Sequence, residues 1–356
     1  VRSVILPLWN AYSFFATYAV ADGWAPPQTP SPVAERALLD RWLVSMTQSL
    51  IAEVHVEMEA YRLYNVIPRV LGFVDHLTNW YIRRSRRRFW RNDNPRDTQH
   101  AYETLYEALG VFSRLLAPIL PFSAELLYQR LEAGVRPGAL DSVHLEAMPM
   151  ASADAVDAEL EAAMAAVREV VVLGRNLREQ HKLPVRQPLA RLEVAFGHGA
   201  PADLQPGASG AAAQALAEAL LAIAAEELNV KQVVVVADVE SLVVLSAKAN
   251  FKTLGRRLGP KMKAVADAVA TLSPATLRTL LAGASIELAG ELLGPEDMLV
   301  VQTARGDGAI ASAGDVTVRL DTVVDDALRL EFVAREAVSR VQNARKAAGL
   351  AVEDRI

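Results

Sequence analysis

Apolar residues recur at spacings of three and four along the first 134 residues, and this periodicity constrains the fold more than any other feature. Such spacing places the apolar side chains on one face of an α-helix, and several such helices bury these faces against each other in a bundle. The proline-rich segment ADGWAPPQTPSP separates the first helix from the next. The positions that define the pattern are Leu39, Trp42, Leu43, Met46 and Leu50, then Val66, Val70, Phe73, Val74, Leu77 and Tyr81.

Two helix starts are predicted in the second half of this region. Asp97 or Thr98 is suited to be an N-cap, because a short oxygen-bearing side chain can accept a hydrogen bond from the first turn. The two prolines of APILPFSAE predict a break, with a new helix starting near Ser123.

The pattern changes after residue 134. Residues 134–154 resemble an extended linker, and a long helix is predicted from about Asp154 to Lys182. Beyond it, strand-like and helix-like runs alternate, and a last helix runs from Asp325 to about Ala348 with Gly349 as its stop. The strand-like runs are LARLEVAF, VKQVVVVAD, SLVVLSAKA, SIELAG, DMLVVQTA and DVTVRLDT; the helix-like runs are AAAQALAEALLAIAAEEL, MKAVADAVATL and PATLRTLLAG.

These patterns predict a mainly α fold, in which a helical bundle is followed by a smaller α+β C-terminal domain. We expect the bundle over residues 1–150, a connecting helix and linker over 151–188, and the α+β domain, ending in a long helix, over 189–356.

Composition excludes several classes of site. The 356-residue chain has no cysteine, so disulfides, a thiol nucleophile and a cysteine zinc site are excluded. His55 has glutamates nearby but no second histidine, so no metal is expected. The net charge of −5 gives no general attraction to nucleic acid, so any such partner must meet a local patch.

That patch is predicted in NWYIRRSRRRFWR, residues 79–91, where six arginines are interleaved with aromatic residues. On a regular helix one side would carry Trp80, Arg84, Arg87, Arg88 and Arg91, with Arg83 and Arg86 beside it. Tyr81 continues the apolar stripe and is expected to point inward.

Two interpretations of this arginine helix remain open. Guanidinium groups bind phosphates through paired hydrogen bonds and aromatic rings stack on unpaired bases, so an RNA loop would use both. Alternatively, the arginines pair with carboxylates on neighbouring helices, although residues 76–92 contain no Asp or Glu. Trp80 and Trp90, considered alone, are more typical of core positions.

Two further basic clusters could contact an RNA backbone. FKTLGRRLGPKMK contains Lys252, Arg256, Arg257, Lys261 and Lys263, and its glycines and proline predict a loop or short turns suited to phosphate contact. An ordinary surface loop explains it as well. The second cluster lies around a predicted helix end, where capping alone would explain it: Arg175, Arg178, Lys182 and Arg186.

Several strings resemble one known family. LPLWNAYSFFATYA, DRWLVSMTQSLIAEV, FVDHLTNWYIRRSRRRFW and APILPFSAELLYQRL are similar to the anticodon-binding helical domain of isoleucyl-tRNA synthetases. NFKTLGRRLGPKMKAV, SIELAGELLGPEDMLV and LRLEFVAREAVSRVQNARKAAGLAVEDRI are similar to the C-terminal region of the eukaryote-like form of these enzymes found in some bacteria.

This resemblance implies a class I aminoacyl-tRNA synthetase that charges tRNA(Ile) with isoleucine in the cytoplasm, using ATP and Mg²⁺, and edits mischarged valine. The HIGH and KMSKS motifs of such enzymes are absent, so this segment alone is expected to be inactive and to hold no cofactor. The implied partners are tRNA(Ile) and the N-terminal catalytic and editing domains of the same chain, in a monomer. Both termini look truncated. The tRNA-binding residues expected are Trp80, Arg83, Arg84, Arg87, Arg88, Arg91, Lys252, Arg256, Arg257 and Lys261.

Two other function classes stay open from the residues. The arginine helix could bind an acidic protein partner, as part of a helical protein–protein interaction module. The chain could also be a free-standing enzyme, although no nucleophile elbow or glycine-rich phosphate loop supports that reading.

Overall fold

The computed structural model describes residues 4–90, 94–197, 201–205, 210–281, 283–306 and 308–350, without the side chains at 245, 256, 274, 275, 278, 281 and 302. The chain divides into two compact units, Val1–Glu161 and Ala162–Ile356, and the second is the longer in sequence. The mainly α fold with a strand-containing C-terminal part is confirmed. The boundaries at residues 150 and 188 stay a prediction.

The first unit is helical, as its periodicity predicts. The helices are α1 (Ile5–Ala21), α2 (Leu38–Glu59), α3 (Leu63–Asp75), α4 (Arg83–Trp90), α5 (Pro95–Leu116) and α6 (Pro121–Leu131), and α7 (Ala158–Gln180) begins in this unit and continues into the second. The core lies between α2, α3 and α5, where Leu43, Phe73, Leu105 and Phe112 are almost completely buried. Phe73 and Phe112 stack with their ring centroids 5.1 Å apart.

A π-helical segment, His76–Ile82, joins α3 to α4 without a break in helical backbone. The residues at both junctions, His76 and Arg83, have right-handed helical dihedrals. In a π-helix the hydrogen bonds run from residue i to i+5, so the turns are wider than in an α-helix. Three consecutive residues of this segment, Trp80, Tyr81 and Ile82, are buried. The wide turns therefore set the direction in which α4 presents its side chains.

The prediction for the start of α5 is wrong. The N-cap is Asn94, whose side chain accepts a hydrogen bond from the backbone N–H of Asp97 (3.3 Å). Pro95 occupies the first helical position, where its missing N–H costs nothing. Asp97 and Thr98 already lie inside the first turn. The break before α6 is confirmed, with the helix beginning at Pro121.

The second unit mixes helices and strands. Its elements after α7 are β1 (Leu189–Phe196), α8 (Ala211–Leu228), β2 (Val230–Val235), β3 (Val243–Ala249), α9 (Phe251–Leu258), α10 (Met262–Ala270), α11 (Pro274–Leu281), β4 (Ile286–Leu288), β5 (Glu291–Leu293), β6 (Met298–Ala304), β7 (Ala309–Ala313), β8 (Val316–Leu320) and α12 (Asp326–Ala347). One sheet has the order β2–β1–β8–β7, and β3–β6 and β4–β5 form separate antiparallel pairs.

Two features hold the four-stranded sheet and its helices together. Strand β1 pairs with β2 in parallel and with β8 antiparallel. The parallel pair needs a crossover, which α8 provides. Helix α8 also approaches α7 closely at Gly174, where an added Cβ would lie 2.5 Å from Leu228 Cδ1. No larger residue fits at position 174 without moving Leu228.

The six predicted strands and the predicted helices of this unit are confirmed, and two strands were missed. Strand β5 has three residues, and β7 is AIASA, whose small residues give little strand signal. The loop predicted for FKTLGRRL is wrong, since these residues form α9. Asn250 caps it by accepting a hydrogen bond from the N–H of Lys252 (3.1 Å), and Leu254 and Leu258 are buried.

Candidate nucleic-acid interface

Helix α4 has an inner face and an outer face. Ser85 and Phe89 are buried, and the ring of Phe89 packs edge-on against Tyr102 with centroids 4.9 Å apart. The outer face presents Arg83, Arg86 and Arg87, which are exposed. The arginine helix therefore offers a cationic surface, but the members of that surface differ from those expected on a regular helix.

Trp80 does not lie on this surface. Its side chain is 5% exposed, so the expectation of an indole open to a stacking base is wrong. The guanidinium carbons of Arg83 and Arg84 lie 6.0 and 5.8 Å from its ring centroid, within the range of cation–π attraction. The π-helical segment moves Trp80 out of the helical phase that a regular helix would have given it. The buried ring of Trp80 thus attracts the guanidinium groups of Arg83 and Arg84.

Arg88 is directed into the fold and paired with carboxylates. Its Nη1 and Nη2 donate to the two oxygens of Asp40 (2.7 and 2.6 Å), and its Nε donates to Asp97 Oδ2 (2.8 Å). Asp40 also accepts from the hydroxyl of Tyr81 (2.6 Å), and its side chain has no exposed surface. Arg88 therefore pairs with carboxylates of neighbouring helices and does not lie on the exposed face.

The electrostatics of this network follow from its burial. Desolvation alone would lower the pKa of Arg88, but its hydrogen bonds to Asp40 and the nearby negative charge hold that pKa above its usual value. Desolvation, together with the charge of Asp40, raises the pKa of the Tyr81 hydroxyl well above its usual value. Arg88 and the Tyr81 hydroxyl both keep their protons at neutral pH. The inward orientation predicted for Tyr81 is confirmed.

Arg86 and Arg87 are the members of the arginine helix most open to a partner. Both are exposed, and neither forms an ion pair with any described carboxylate. Arg84 is half-buried against Trp80. Arg91 lies outside the described residues. The tRNA-binding roles of Arg83, Arg84, Arg87 and Arg91 stay predictions, and Arg86 joins them because it shares the exposed face.

A pocket opens beside Arg86, between α1 and the π-helical segment. Its volume is about 280 Å³. The lining combines an apolar wall with a polar rim: Pro7, Ala11, Phe14 and Ile82 form the wall, and Asn10, Thr78, Asn79 and Arg86 the rim. No sequence signal connects these residues, since two elements about 70 positions apart bring them together.

Two residues of the basic cluster FKTLGRRLGPKMK, Arg257 and Lys261, are paired within their own unit. Arg257 Nη2 donates to Asp297 Oδ2 (2.7 Å) and to the carbonyl of Leu292 (3.1 Å). Lys261 pairs with Glu291 (2.6 Å), and Lys252 is exposed. The side chain of Arg256 lies outside those described. RNA contact by these four residues stays a prediction.

The Arg257 pair is a structural feature of α9. Burial would raise the pKa of Asp297, but hydrogen bonds from the Gly294 N–H and from Arg257 hold it below its usual value. The same carboxylate closes the turn before β6, because Gly294 N donates to Asp297 Oδ2 (3.2 Å). Arg257 thus fixes α9 to the β5–β6 turn.

Two other kinds of feature are absent from the described residues. In these ranges no group of three or more His, Asp or Glu side chains is placed to hold a metal ion. No helix among them combines the length and apolar character that a membrane crossing would need.

Comparison with known proteins shows what the region around the arginine helix is similar to. Residues 40–195 match the family described as anticodon-binding domain of tRNA ligase, and this range includes all of α3 to α7 and nearly all of α2. This part of the chain, which begins in the helical unit and extends into β1 of the second unit, is therefore similar to the anticodon-binding domain of tRNA ligases.

Relatives that match over the whole chain include several isoleucine–tRNA ligases. The protein of Streptomyces avermitilis is 40% identical over 361 residues, which cover 100% of this chain and 33% of the relative. Those of Bdellovibrio bacteriovorus and Protochlamydia amoebophila are each 38% identical over 360 residues, covering all of this chain and 32% and 33% of the relatives. The chain thus spans about a third of the length of the curated relatives it matches. The resemblance to isoleucyl-tRNA synthetases inferred from the quoted strings is confirmed, and the eukaryote-like type stays a prediction.

Proposed function

We propose that this chain is the tRNA-recognition part of an isoleucine–tRNA ligase, and that it binds the anticodon stem-loop of tRNA(Ile). The whole protein would join isoleucine to that tRNA with ATP and Mg²⁺ and hydrolyse mischarged valine. The catalytic work falls outside this segment, since its sequence contains neither a HIGH nor a KMSKS motif. The chain contributes binding and orientation.

The exposed arginines of α4 are the observation that carries the proposal. They lie inside the range matched by the anticodon-binding family. Arg86 and Arg87 point to solvent on a rigid helix whose opposite face is held by Phe89 and by Arg88 with its carboxylates. Guanidinium groups carried on a packed helix in this way can bind phosphates without first releasing a competing carboxylate.

The test compares the salt dependence of binding. Arg86→Ala and Arg87→Ala are each expected to weaken binding to tRNA(Ile), and to reduce the slope of log K against log salt by about one unit for each phosphate that is no longer bound. Filter binding across a salt series measures both quantities. Unchanged slopes in both variants would remove α4 from the interface.

Two controls make the result specific. Arg340→Ala removes the same charge from an exposed position on α12, and we expect it to leave the slope unchanged. A gel shift of tRNA(Ile) against a second tRNA tests the specificity, and competition by an acidic protein tests the interaction-module alternative. Displacement of the tRNA by an acidic protein at equal concentration would favour that alternative.

A further inference from the structure

The last helix, α12, repeats a sequence that occurs earlier in α7. Residues 168–185 and 335–352 are identical at seven of eighteen positions, at a constant separation of 167 residues. The identical pairs are Arg168 and Arg335, Glu169 and Glu336, Val171 and Val338, Asn176 and Asn343, Arg178 and Arg345, Leu183 and Leu350, and Val185 and Val352. The match covers the C-terminal part of each helix and continues past its end, so a helix is repeated together with its connection.

The two helices also end in the same way. The residues with left-handed φ are Lys182 (56°) after α7 and Gly349 (73°) after α12, at matching positions of the repeat. The next residue then donates its N–H back into the helix, from Leu183 to the carbonyl of Arg178 (2.8 Å) and from Leu350 to the carbonyl of Arg345 (3.1 Å). This is the hydrogen bond of a Schellman cap, which turns the chain out of the helix. The repeat is therefore structural as well as sequential.

Helix α7 buries one face against elements that follow it in the chain. Ala163, Val167 and Val171 on this face are at most 1% exposed. Gly174 on the same face lies against Leu228, which belongs to α8. The cover of α7 thus includes an element connected to its own C-terminal end through β1.

The matching face of α12 is open. Its apolar stripe consists of Leu330, Ala334, Val338 and Val341, which correspond to Ala163, Val167, Val171 and Gly174 of α7. The side chains of Leu330, Val338 and Val341 are 69%, 61% and 55% exposed, and Ala334 is exposed. The structure describes every residue of α12, and Leu328 alone among them is buried. The face that α7 packs is therefore presented to solvent by α12.

The opposite face of α12 attaches the helix to its unit through polar groups. Arg335 Nη1 donates to Asn229 Oδ1 (2.7 Å), and Glu336 pairs with Arg186 (3.3 Å). A helix at the surface of a protein normally packs its apolar face and exposes its polar face. Helix α12 does the reverse, which is the arrangement expected of a helix with a second partner on its apolar side.

We propose that the apolar stripe of α12 is the docking face for an α/β layer formed by the segment that begins at Ala351, as α7 is covered by elements that follow it. That segment lies outside the described residues. The repeat selects this occupant, because it extends through the cap that directs the chain out of each helix. The chain spans about a third of the length of its curated relatives, so a longer ligase can supply such a layer.

This inference concerns assembly within the ligase and goes beyond RNA recognition. It rests on one clause of the proposed function, that the chain is part of a longer ligase. It does not depend on the binding of tRNA(Ile) by α4. Its test contains no RNA, so the two proposals can fail separately.

The first experiment measures whether the stripe is covered in the full-length ligase. The 356 residues contain no cysteine, so a single thiol can be placed in them by Val338→Cys on the stripe or by Asn343→Cys as the control. Both positions are exposed in this structure, and Asn176, the counterpart of Asn343 on α7, is exposed as well. Alkylation by iodoacetamide is followed by mass spectrometry of the peptide that carries the thiol. We expect Val338→Cys to react at least about tenfold more slowly than Asn343→Cys, because reaction then requires local opening. Equal rates would overturn the inference.

The second experiment identifies what covers the stripe. Truncation of the ligase after Leu350 removes the proposed occupant, and Val338→Cys is then expected to react as fast as Asn343→Cys. Val171→Cys, the same substitution at the matching buried position of α7, is expected to stay slow in both proteins and reports that the unit remains folded. If Val338→Cys stays slow after truncation, another part of the ligase or a second copy covers the stripe, and the assignment to the following segment is wrong. Cysteine is close to valine in size, so these variants are expected to fold.

Discussion

Replacing Arg88 with methionine is expected to lower the free energy of unfolding of the helical unit by about 3–5 kcal/mol, the typical cost of removing one partner of a buried ion pair. The reason lies in Asp40, which is fully buried and receives two hydrogen bonds from Arg88 and one from Tyr81. Without Arg88, its carboxylate stays in the interior with one side-chain hydrogen bond, from the Tyr81 hydroxyl, and with partial compensation from the nearby charge of Arg36. Urea denaturation followed by circular dichroism measures the decrease.

Two further variants decide whether the buried charge is the cause. Arg87→Met, one position earlier on the same helix but exposed, is expected to change the unfolding free energy by no more than about 0.5 kcal/mol. Asp40→Asn combined with Arg88→Met is expected to recover more than half of the stability, because an amide carries no charge and still accepts from Tyr81. A single Arg88→Met variant as stable as the wild type would contradict the structural role of this network.

Arg178→Met is expected to lower the unfolding free energy of the second unit by about 2–4 kcal/mol. Arg178 is 1% exposed and donates to three backbone carbonyls, those of Pro184 (3.1 Å), Gln187 (3.0 Å) and Asn229 (3.2 Å). The carbonyl of Gln187 is left without a donor, which costs about 1–3 kcal/mol. The carbonyls of Pro184 and Asn229 keep backbone donors, the N–H groups of Gln187 and Leu189, and each loses one hydrogen bond worth about 0.5–1.5 kcal/mol. Removal of a buried charge offsets part of this cost.

The physical setting of Arg178 makes this outcome informative. Burial without an ion-pair partner among the described carboxylates lowers its pKa to about 10, so it remains charged at neutral pH. Its guanidinium connects the end of α7 to the start of β1 and to the end of α8. Arg329→Met, exposed on α12, is the matched control and is expected to be nearly neutral. Thermal unfolding of both variants tests the comparison, and equal midpoints would contradict the role of Arg178.

Where periodicity and side-chain chemistry agree, the sequence was sufficient to predict the fold. LARLEVAF is β1 from its first to its last residue, and AAAQALAEALLAIAAEEL is α8. The failures have local causes. FKTLGRRL contains a glycine, which normally disfavours a helix. No atom lies within 4 Å of the position that a Cβ of Gly255 would occupy, so α9 loses no packing contact there and the glycine lowers only its helix propensity. Three-residue strands such as β5 are too short to show a period.

The candidate site was only partly predictable from the sequence. The six arginines and their family resemblance indicated a cationic helix, and Arg86 and Arg87 are exposed as such a surface requires. Which arginines point outward depended on Asp40, which lies 48 positions before Arg88, and on the π-helical segment. Neither feature has a sequence signature, because the residues of a π-helical turn are those of any amphipathic helix.

Because of the π-helical segment, the packing of the helical unit depends on the number of residues between α3 and α4 as well as on their types. A residue inserted or deleted between Asp75 and Arg83 that is not absorbed by a change between i→i+5 and i→i+4 hydrogen bonds would rotate α4 about its axis by about 100°, the turn per residue of an α-helix. Ser85 and Phe89 would then become exposed, and Asp40 would lose its hydrogen bonds from Arg88. We therefore expect homologous chains to tolerate substitutions in this stretch far better than insertions or deletions.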